Sequence, residues 1–422
     1  MARQNYLKTS ILAAFAIETL SVTWFQKIPG ATLFFTLLYF IAGIAIAIFL
    51  LSFPELKLPP LALRQQNTRL NHYRLIIIGL IGLVIVTLCR YWFDEIPLDI
   101  NYADMLPIIK VMDQRFIAGQ WKHIYDTIPS IWNGIQPIYL PSMWQPFVLA
   151  VALNIDMRWI TVAGLLLSFG IFVFLYRPDI RRYSSFFLGV LAFLLFWWLF
   201  ADNTAGVITV SEEGVVIAYY VLLVLALASG NSILCGIAVS LCMLSRYALV
   251  GWIPAYLLYL LLIRRQRQLF FFCITGLACL LLLFVFPVGW TTFIRLLQLP
   301  GNYIKFAGIV WQDSPDVFTT GIGFAGAFGP GRVVLLHGLL IGLSFTVPTL
   351  FIIICYRLGK KRKLANIPLA ALKISLVVFY CFIDVPYQYL FYTSSFVSLI
   401  ALALLMREEP QSGFRPVGKM LS

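Results

Sequence analysis

The sequence predicts an all-α polytopic membrane protein with about 12 transmembrane helices and both termini cytoplasmic, each span needing about 20 apolar residues. Three observations predict it. The 422 residues are 61% hydrophobic and only 12% charged, with mean hydropathy +0.90. Soluble domains carry about 45–50% apolar and about 25% charged residues. The apolar residues gather into long runs, and most of the 31 Lys and Arg residues lie in short segments between those runs.

Composition excludes a soluble globular protein, a disordered chain and a nucleic-acid binder. The net charge of +13 does not revive the last, because such proteins cluster basic residues on one water-facing surface. The seven cysteines are odd in number, form no CxxC pair and lie within apolar stretches. That argues against a disulfide framework or a zinc site. The first apolar run, with Arg3 and Lys8 ahead of it and Glu18 inside it, reads as an uncleaved span, since no small-residue cleavage site follows.

In chain order the clear spans are 31–53, 75–93, 157–176, 269–287, 332–356 and 387–406. Shorter or polar-interrupted spans are 10–25, 185–200, 214–229, 232–247, 248–263 and 367–383. Arg246 divides 232–263 into a hairpin, because a charge at the bilayer centre is expensive and one at a turn is not. The positive-inside rule puts the N-terminus, 54–74, 177–183, 264–268, 357–363 and the C-terminal tail in the cytoplasm. The apolar run within 141–154 is too short to span and reads as a segment dipping in from outside. The chain is then one integral membrane domain over 1–422. Residues 1–74 supply two N-terminal helices, and two large outer loops cover 94–156 and 288–331. Loops of that length tend to carry function.

In the first outer loop, Asp104 is placed to cap a helix whose stripe is Met105, Ile108, Ile109, Met112 and Phe116. Gly119 closes it. The spacing predicts an amphipathic helix on the outer membrane surface, with Asp99 and Tyr102 just ahead of it.

Asp99 and Tyr102 form D-x-x-Y. After it come FIAGQWKHIYD at 116–126, IYLPSMWQP at 138–146, and a paired-helix element with Arg246 at its turn. This ordered set resembles the GT-C superfamily of polytopic glycosyltransferases. It is most similar to the branch of polyprenol-phosphate-mannose-dependent mannosyltransferases, and the resemblance covers roughly 99–270. The family's Tyr-Pro-Pro element is only partly matched, by Tyr139-Leu140-Pro141. The two helices before residue 54 have no counterpart in the simplest family layout.

The resemblance implies an enzyme moving a hexose, mannose in that branch, from a polyprenyl-phosphate donor to a lipid or glycan acceptor. The transfer would be inverting and would take place on the outer side of a bacterial plasma membrane, in the service of the cell envelope. Such transfer needs a carboxylate to take the acceptor proton and cations to meet the departing phosphate. The resemblance assigns the base to Asp99 and phosphate binding to Arg246. Tyr102, Tyr125, Asp104, Tyr139 and Glu212 complete the candidate substrate-binding set.

Each has a plainer reading. Asp99 is also a solvated acid near Lys110 or Arg115, with Asp94, Glu95, Asp104, Asp113 and Asp126 as competitors. Tyr102 and Tyr125 are also interfacial anchors, and Glu212 and Glu213 also a solvated loop. No cofactor is expected and no metal, since His123 and His337 lack an acid or second histidine at ligand spacing. The GIGFAGAFGPGR run at 321–332 reads as a flap or as a connector. Asp384, Tyr387 and Tyr389 reach the outer face. Glu18 and Lys373 sit inside helices as snorkelling or helix-contact residues.

Partners are the lipid donor, the acceptor and membrane lipids, with no nucleic acid. The alternative is a lipid-linked glycan transporter or flippase, or a protein of the O-antigen ligase or polymerase type. A transporter holds charges near the midplane, whereas the acids here gather in outer loops.

Overall fold

The computed structural model describes residues 2–24, 28, 30–58, 68–100, 102–131, 134–176, 183–297, 302–362 and 364–406. Of the predicted basic runs, Arg64, 177–182, Lys363 and the tail from residue 407 lie outside the described residues. Among those described there is no β-strand, only an isolated bridge between Ile128 and Ile135.

The chain opens with α1 (Ala2–Val22), α2 (Thr32–Leu50) and α3 (Thr68–Glu95). The long segment between α3 and residue 157 holds α4 (Met105–Ile117), α5 (Pro141–Trp144) and α6 (Val148–Ala152). The central helices are α7 (Arg158–Leu175), α8 (Tyr183–Trp197), α9 (Val207–Val210), α10 (Glu213–Ser229), α11 (Ser232–Met243), α12 (Trp252–Leu262) and α13 (Gln266–Leu280). After a π-helical turn at Leu281–Val285 come α14 (Phe286–Val288), α15 (Trp290–Leu297), α16 (Asn302–Asp313), α17 (Asp316–Thr320) and α18 (Ala325–Phe328). The chain closes with α19 (Val333–Arg362), α20 (Ile367–Phe382) and α21 (Tyr392–Met406).

This is a helical membrane protein. Seven described stretches are long and apolar enough to cross a bilayer: Thr32–Leu50, Leu75–Glu95, Arg158–Leu175, Tyr183–Asp202, Gln266–Val288, Pro330–Gly359 and Gln388–Met406. The helices Glu213–Ser229, Ser232–Met243 and Ile367–Phe382 are apolar but shorter. The 12 residues of α11 rise about 18 Å at 1.5 Å per residue. That falls short of a hydrocarbon core of about 30 Å, so the turn carrying Arg246 is set below the rim of the bundle.

Connections gather at two ends of the bundle. At one end, Asn366 ties the connection after α19 to the connection after α2. Its Nδ2 donates to the carbonyls of Leu50 (3.0 Å) and Pro54 (2.9 Å), and its Oδ1 accepts from the Leu56 N–H. Leu58 N–H donates to Ala228 O at 3.2 Å, and Arg267 lies against Asn231 and Ser232. At the other end Arg158 donates to Ile96 O (2.5 Å), Ser142 N–H to Leu244 O (2.9 Å), and Phe324 N–H to Cys381 O (2.7 Å). The two large loops meet the bundle there.

The structure corrects two expectations about these loops. The stripe of α4 does not lie on the membrane surface. Ile108, Ile109 and Met112 are buried with Trp144, Phe147 and Ala150 of the dipping segment, so the helix packs on protein. Apolar burial is non-directional, and amphipathicity alone could not tell a protein partner from a lipid one. The glycine run after α17 is no free flap. A Cβ on Gly323, whose φ is +135°, would come within 2.7 Å of Pro386 Cβ. Its backbone N–H donates to Thr36 Oγ1 at 2.8 Å. These glycines let the loop seat on the 383–391 turn.

Candidate functional site

The site forms where five connections converge on the Arg246 turn. Its floor is set by α10. Glu212 and Glu213 stand at the start of that helix, where the dipole favours negative charge. The α7 and α10 backbones touch there, with no room for side chains between them. A Cβ on Gly214 would lie 2.1 Å from Thr161 O, and one on Gly164 would lie 2.3 Å from Gly214 O. Thr161 Oγ1 locks the approach by donating to Ser211 O at 2.8 Å. Small residues at such contacts are how membrane helices gain close packing.

Arg246 then enters from the α11–α12 turn. Its Nη2 lies 2.5 Å from Glu212 Oε1 and 2.7 Å from Glu213 Oε2, with its side chain 10% exposed and both glutamates fully buried. Glu213 also accepts from Thr393 Oγ1 of α21. The guanidinium lies 5.9 Å from the ring centre of Tyr389, and Tyr387 stacks on that tyrosine at 5.6 Å and 7°. Arg246 Nε and Glu212 Oε2, both buried here, are left without a hydrogen-bond partner.

The rim consists of partly exposed groups. Asp104, Tyr139, Tyr247, Tyr303 and Tyr387 are all half-buried. Burial pushes the Asp104 carboxyl up, its own N–H draws it partly back, and nearby Glu212 raises it further. Burial also raises Tyr139, with Asp104 and Glu212 adding to the rise. Tyr387 is pushed up to about 12 by burial and by Asp104. These shared influences place Asp104, Glu212, Tyr139 and Tyr387 in one electrostatic neighbourhood.

The candidates from sequence therefore separate. Arg246, Glu212, Tyr139 and Asp104 are brought together. Asp99 is exposed on the turn before α4, where its carbonyl accepts from the N–H groups of Tyr102 and Ala103. Tyr102 is 59% exposed. Tyr125 is wholly buried and engaged on both sides, donating to Tyr139 O at 2.9 Å and accepting from Trp144 Nε1 at 3.1 Å. It shapes the loop that presents Tyr139.

Three expectations are corrected. Asp104 occupies the N-cap position of α4 but makes no side-chain cap hydrogen bond. Glu212 and Glu213 are not a solvated loop, since both are fully buried and paired with Arg246. Both histidines do have acid partners. His123 Nδ1 lies 2.6 Å from Asp126 Oδ2, and His337 Nδ1 lies 2.6 Å from Asp384 Oδ2. The second pair joins residues 47 apart, which sequence spacing cannot reveal. Among the described residues no three of His, Cys, Asp or Glu converge as a metal site would require.

Sequence reasoning did not connect Tyr303, Tyr380 or Thr393 to the site. Nothing local marks them, since each comes from a different distant element. Comparison with known protein families, curated proteins and solved structures finds no match for this chain. The functional reading therefore rests on its own residues.

Proposed function

We propose that this chain is a GT-C-type glycosyltransferase that moves a hexose from a polyprenyl-phosphate donor to a lipid or glycan acceptor. In this reading the chain crosses a bacterial plasma membrane twelve times, with both termini and the basic loops cytoplasmic. The Asp104 cluster then faces outward. The observation that carries the reading is a half-buried carboxylate, Asp104, at a tyrosine-rich rim above a buried floor where Arg246 pairs with Glu212 and Glu213. Tyrosine rings and hydroxyls suit a sugar, and a carboxyl raised by burial accepts a proton more readily than an ordinary one.

The step is a single displacement. The acceptor oxygen attacks the anomeric carbon while Asp104 takes its proton. The bond from that carbon to the phosphate oxygen breaks, and its electron pair leaves with the phosphate. Arg246 holds Glu212 and Glu213 in place rather than binding the phosphate. This reading assigns the base to Asp104 rather than to Asp99, the residue the family resemblance names, because Asp104 is the acid that shares the cluster.

Purified protein supplied with a radiolabelled polyprenyl-phosphate hexose and extracted membrane lipids tests this. Asp104→Asn should cut transfer by about 10²–10⁴-fold, the usual worth of a general base, with Asp99→Asn near wild type. The opposite ranking returns the role to Asp99. Absence of transfer from any such donor would favour the transporter or flippase alternative. For the topology, a cysteine at position 130 should react with an impermeant thiol reagent from outside intact cells, and labelling only from the cytoplasm would reverse it.

A further inference from the structure

A second feature lies outside the Asp104 cluster. A crevice of about 400 Å³ opens between the short turn Trp121–His123 and the exit of the 266–288 helix. Its walls include Trp121, Lys122, His123, Phe286, Val288 and Gly289. Exposed Trp121 is held in place, stacking on Phe116 at 5.9 Å and donating from Nε1 to Phe116 O at 3.1 Å. Tyr125 forms the partition behind. Its ring lies 6.2 Å from Phe284, beside the crevice, while its hydroxyl reaches the Tyr139 carbonyl on the cluster side.

An apolar track leads to this crevice along the outside of the bundle. Phe270, Ile274, Leu277, Leu282 and Phe286 are all exposed. The first steps are four and three residues, as an α-helical face requires. The step from Leu277 to Leu282 is five, and it enters the π-helical turn at Leu281–Val285. Leu282 and Phe286, four residues apart across that turn, carry the exposed apolar surface on to the crevice. Exposed Trp121 and Trp290 flank the end of the track, the position aromatic side chains take at the edge of a bilayer. Exposed Lys122 lines the same crevice, where a basic group near a membrane surface attracts anionic lipid, and His123 beside it is held by Asp126.

We infer that this crevice docks the phosphate headgroup of a membrane lipid, with the lipid's hydrocarbon chain lying along the Phe270–Phe286 track. The chain's apolar surface and the phosphate's charge are thus met by one continuous feature, and neither half alone would define the occupant. The inference does not require sugar transfer. It takes from the proposed function only the leaflet in which the lipid sits.

The test uses the full-length protein in non-ionic detergent, with dodecyl phosphate as probe. Acetylation of Lys122 by a water-soluble amine reagent is followed by peptide mass spectrometry, with exposed Lys110 as the internal control. Dodecyl phosphate should slow acetylation of Lys122 but not of Lys110, while inorganic phosphate and dodecanol at the same concentrations should not. Phe286→Asp, which interrupts the track at a lipid-facing position, should raise the half-protecting concentration by about tenfold or more, the worth of one buried phenyl ring. Equal protection by inorganic phosphate would make this a soluble-anion site and overturn the inference. So would an absence of protection, or protection that grows with protein concentration alone, which would mark a contact between two copies. Because no sugar donor is present, the outcome is separate from that of the transfer assay.

Discussion

Lys373 of α20 and Glu18 of α1, 355 positions apart in the chain, are joined by a direct hydrogen bond with both side chains fully buried. Ser394 and Ser398 of α21 complete the arrangement. Lys373 Nζ donates to Ser394 Oγ at 2.7 Å, and Ser398 Oγ donates to Glu18 Oε2 at 2.9 Å. The pair clamps three helices rather than snorkelling to an interface.

Removing one partner of that pair strands the other charge. Lys373→Ala should lower stability by about 3–5 kcal/mol, whereas Lys373→Met combined with Glu18→Leu should recover most of it. Thermal unfolding in detergent, compared across the single and double variants, checks this. A double variant no better than the single would show that the serines, not the ion pair, hold the helices.

Arg246 should behave in the same way for the same reason. Arg246→Ala leaves Glu212 and Glu213 buried side by side without a cation, and a loss of about 3–5 kcal/mol is expected. Adding Glu212→Gln and Glu213→Gln should restore the melting temperature. If Arg246→Ala melts as wild type does, the guanidinium is available to a ligand and its positioning role falls.

Asp113 of α4 is fully buried, and neither carboxyl oxygen has a partner. Burial pushes it up to about 9. The folded protein therefore keeps this proton between about pH 4 and 9 while the unfolded chain, with an ordinary aspartate near 3.9, releases it. Folding is then penalised progressively as pH rises through that window, by up to about 1.4 kcal/mol per unit. Asp113→Asn should flatten the fall in melting temperature between pH 5 and 8. A slope as steep as wild type would assign the dependence to other groups.

Gly251 and Gly338 make a contrasting pair. A Cβ on Gly251 would sit 1.7 Å from Ser344 O, where α12 meets α19, while one on Gly338 would meet nothing within 4 Å. Gly251→Ala must separate the helices next to the Arg246 turn, and should abolish a monodisperse peak in size-exclusion chromatography. Gly338→Ala should be neutral or stabilising by about 0.5–1 kcal/mol, as alanine replaces glycine within a helix. Equal behaviour of the two would mean that α12 and α19 do not touch there.

The sequence alone determined the helical membrane class and the apolar centres of the long helices, but not the four helices α15 to α18 within 288–331. Hydrophobic runs of spanning length follow from the bilayer's demand that backbone groups be satisfied within each segment. That constraint is local and needs no knowledge of neighbours. The division of 232–263 at Arg246, the short helices within 141–154 and the turn at Gly119 were legible for the same reason: a charge, a short run or a glycine acts where it stands.

Tertiary structure decided which polar residues meet. Glu212 and Glu213 look like solvated loop acids until α10 closes on α7 and Arg246 arrives from 34 positions away. Asp104 looks like a helix cap until the fold sets it beside Glu212 and Tyr139, while Asp99, five residues earlier, is exposed. His337 finds Asp384, and Lys373 finds Glu18, across whole helices. Charge pairing is set by distance in space, and in a buried setting an unmatched partner is costly. The pairs are therefore enforced by the fold, yet leave no periodicity in the chain.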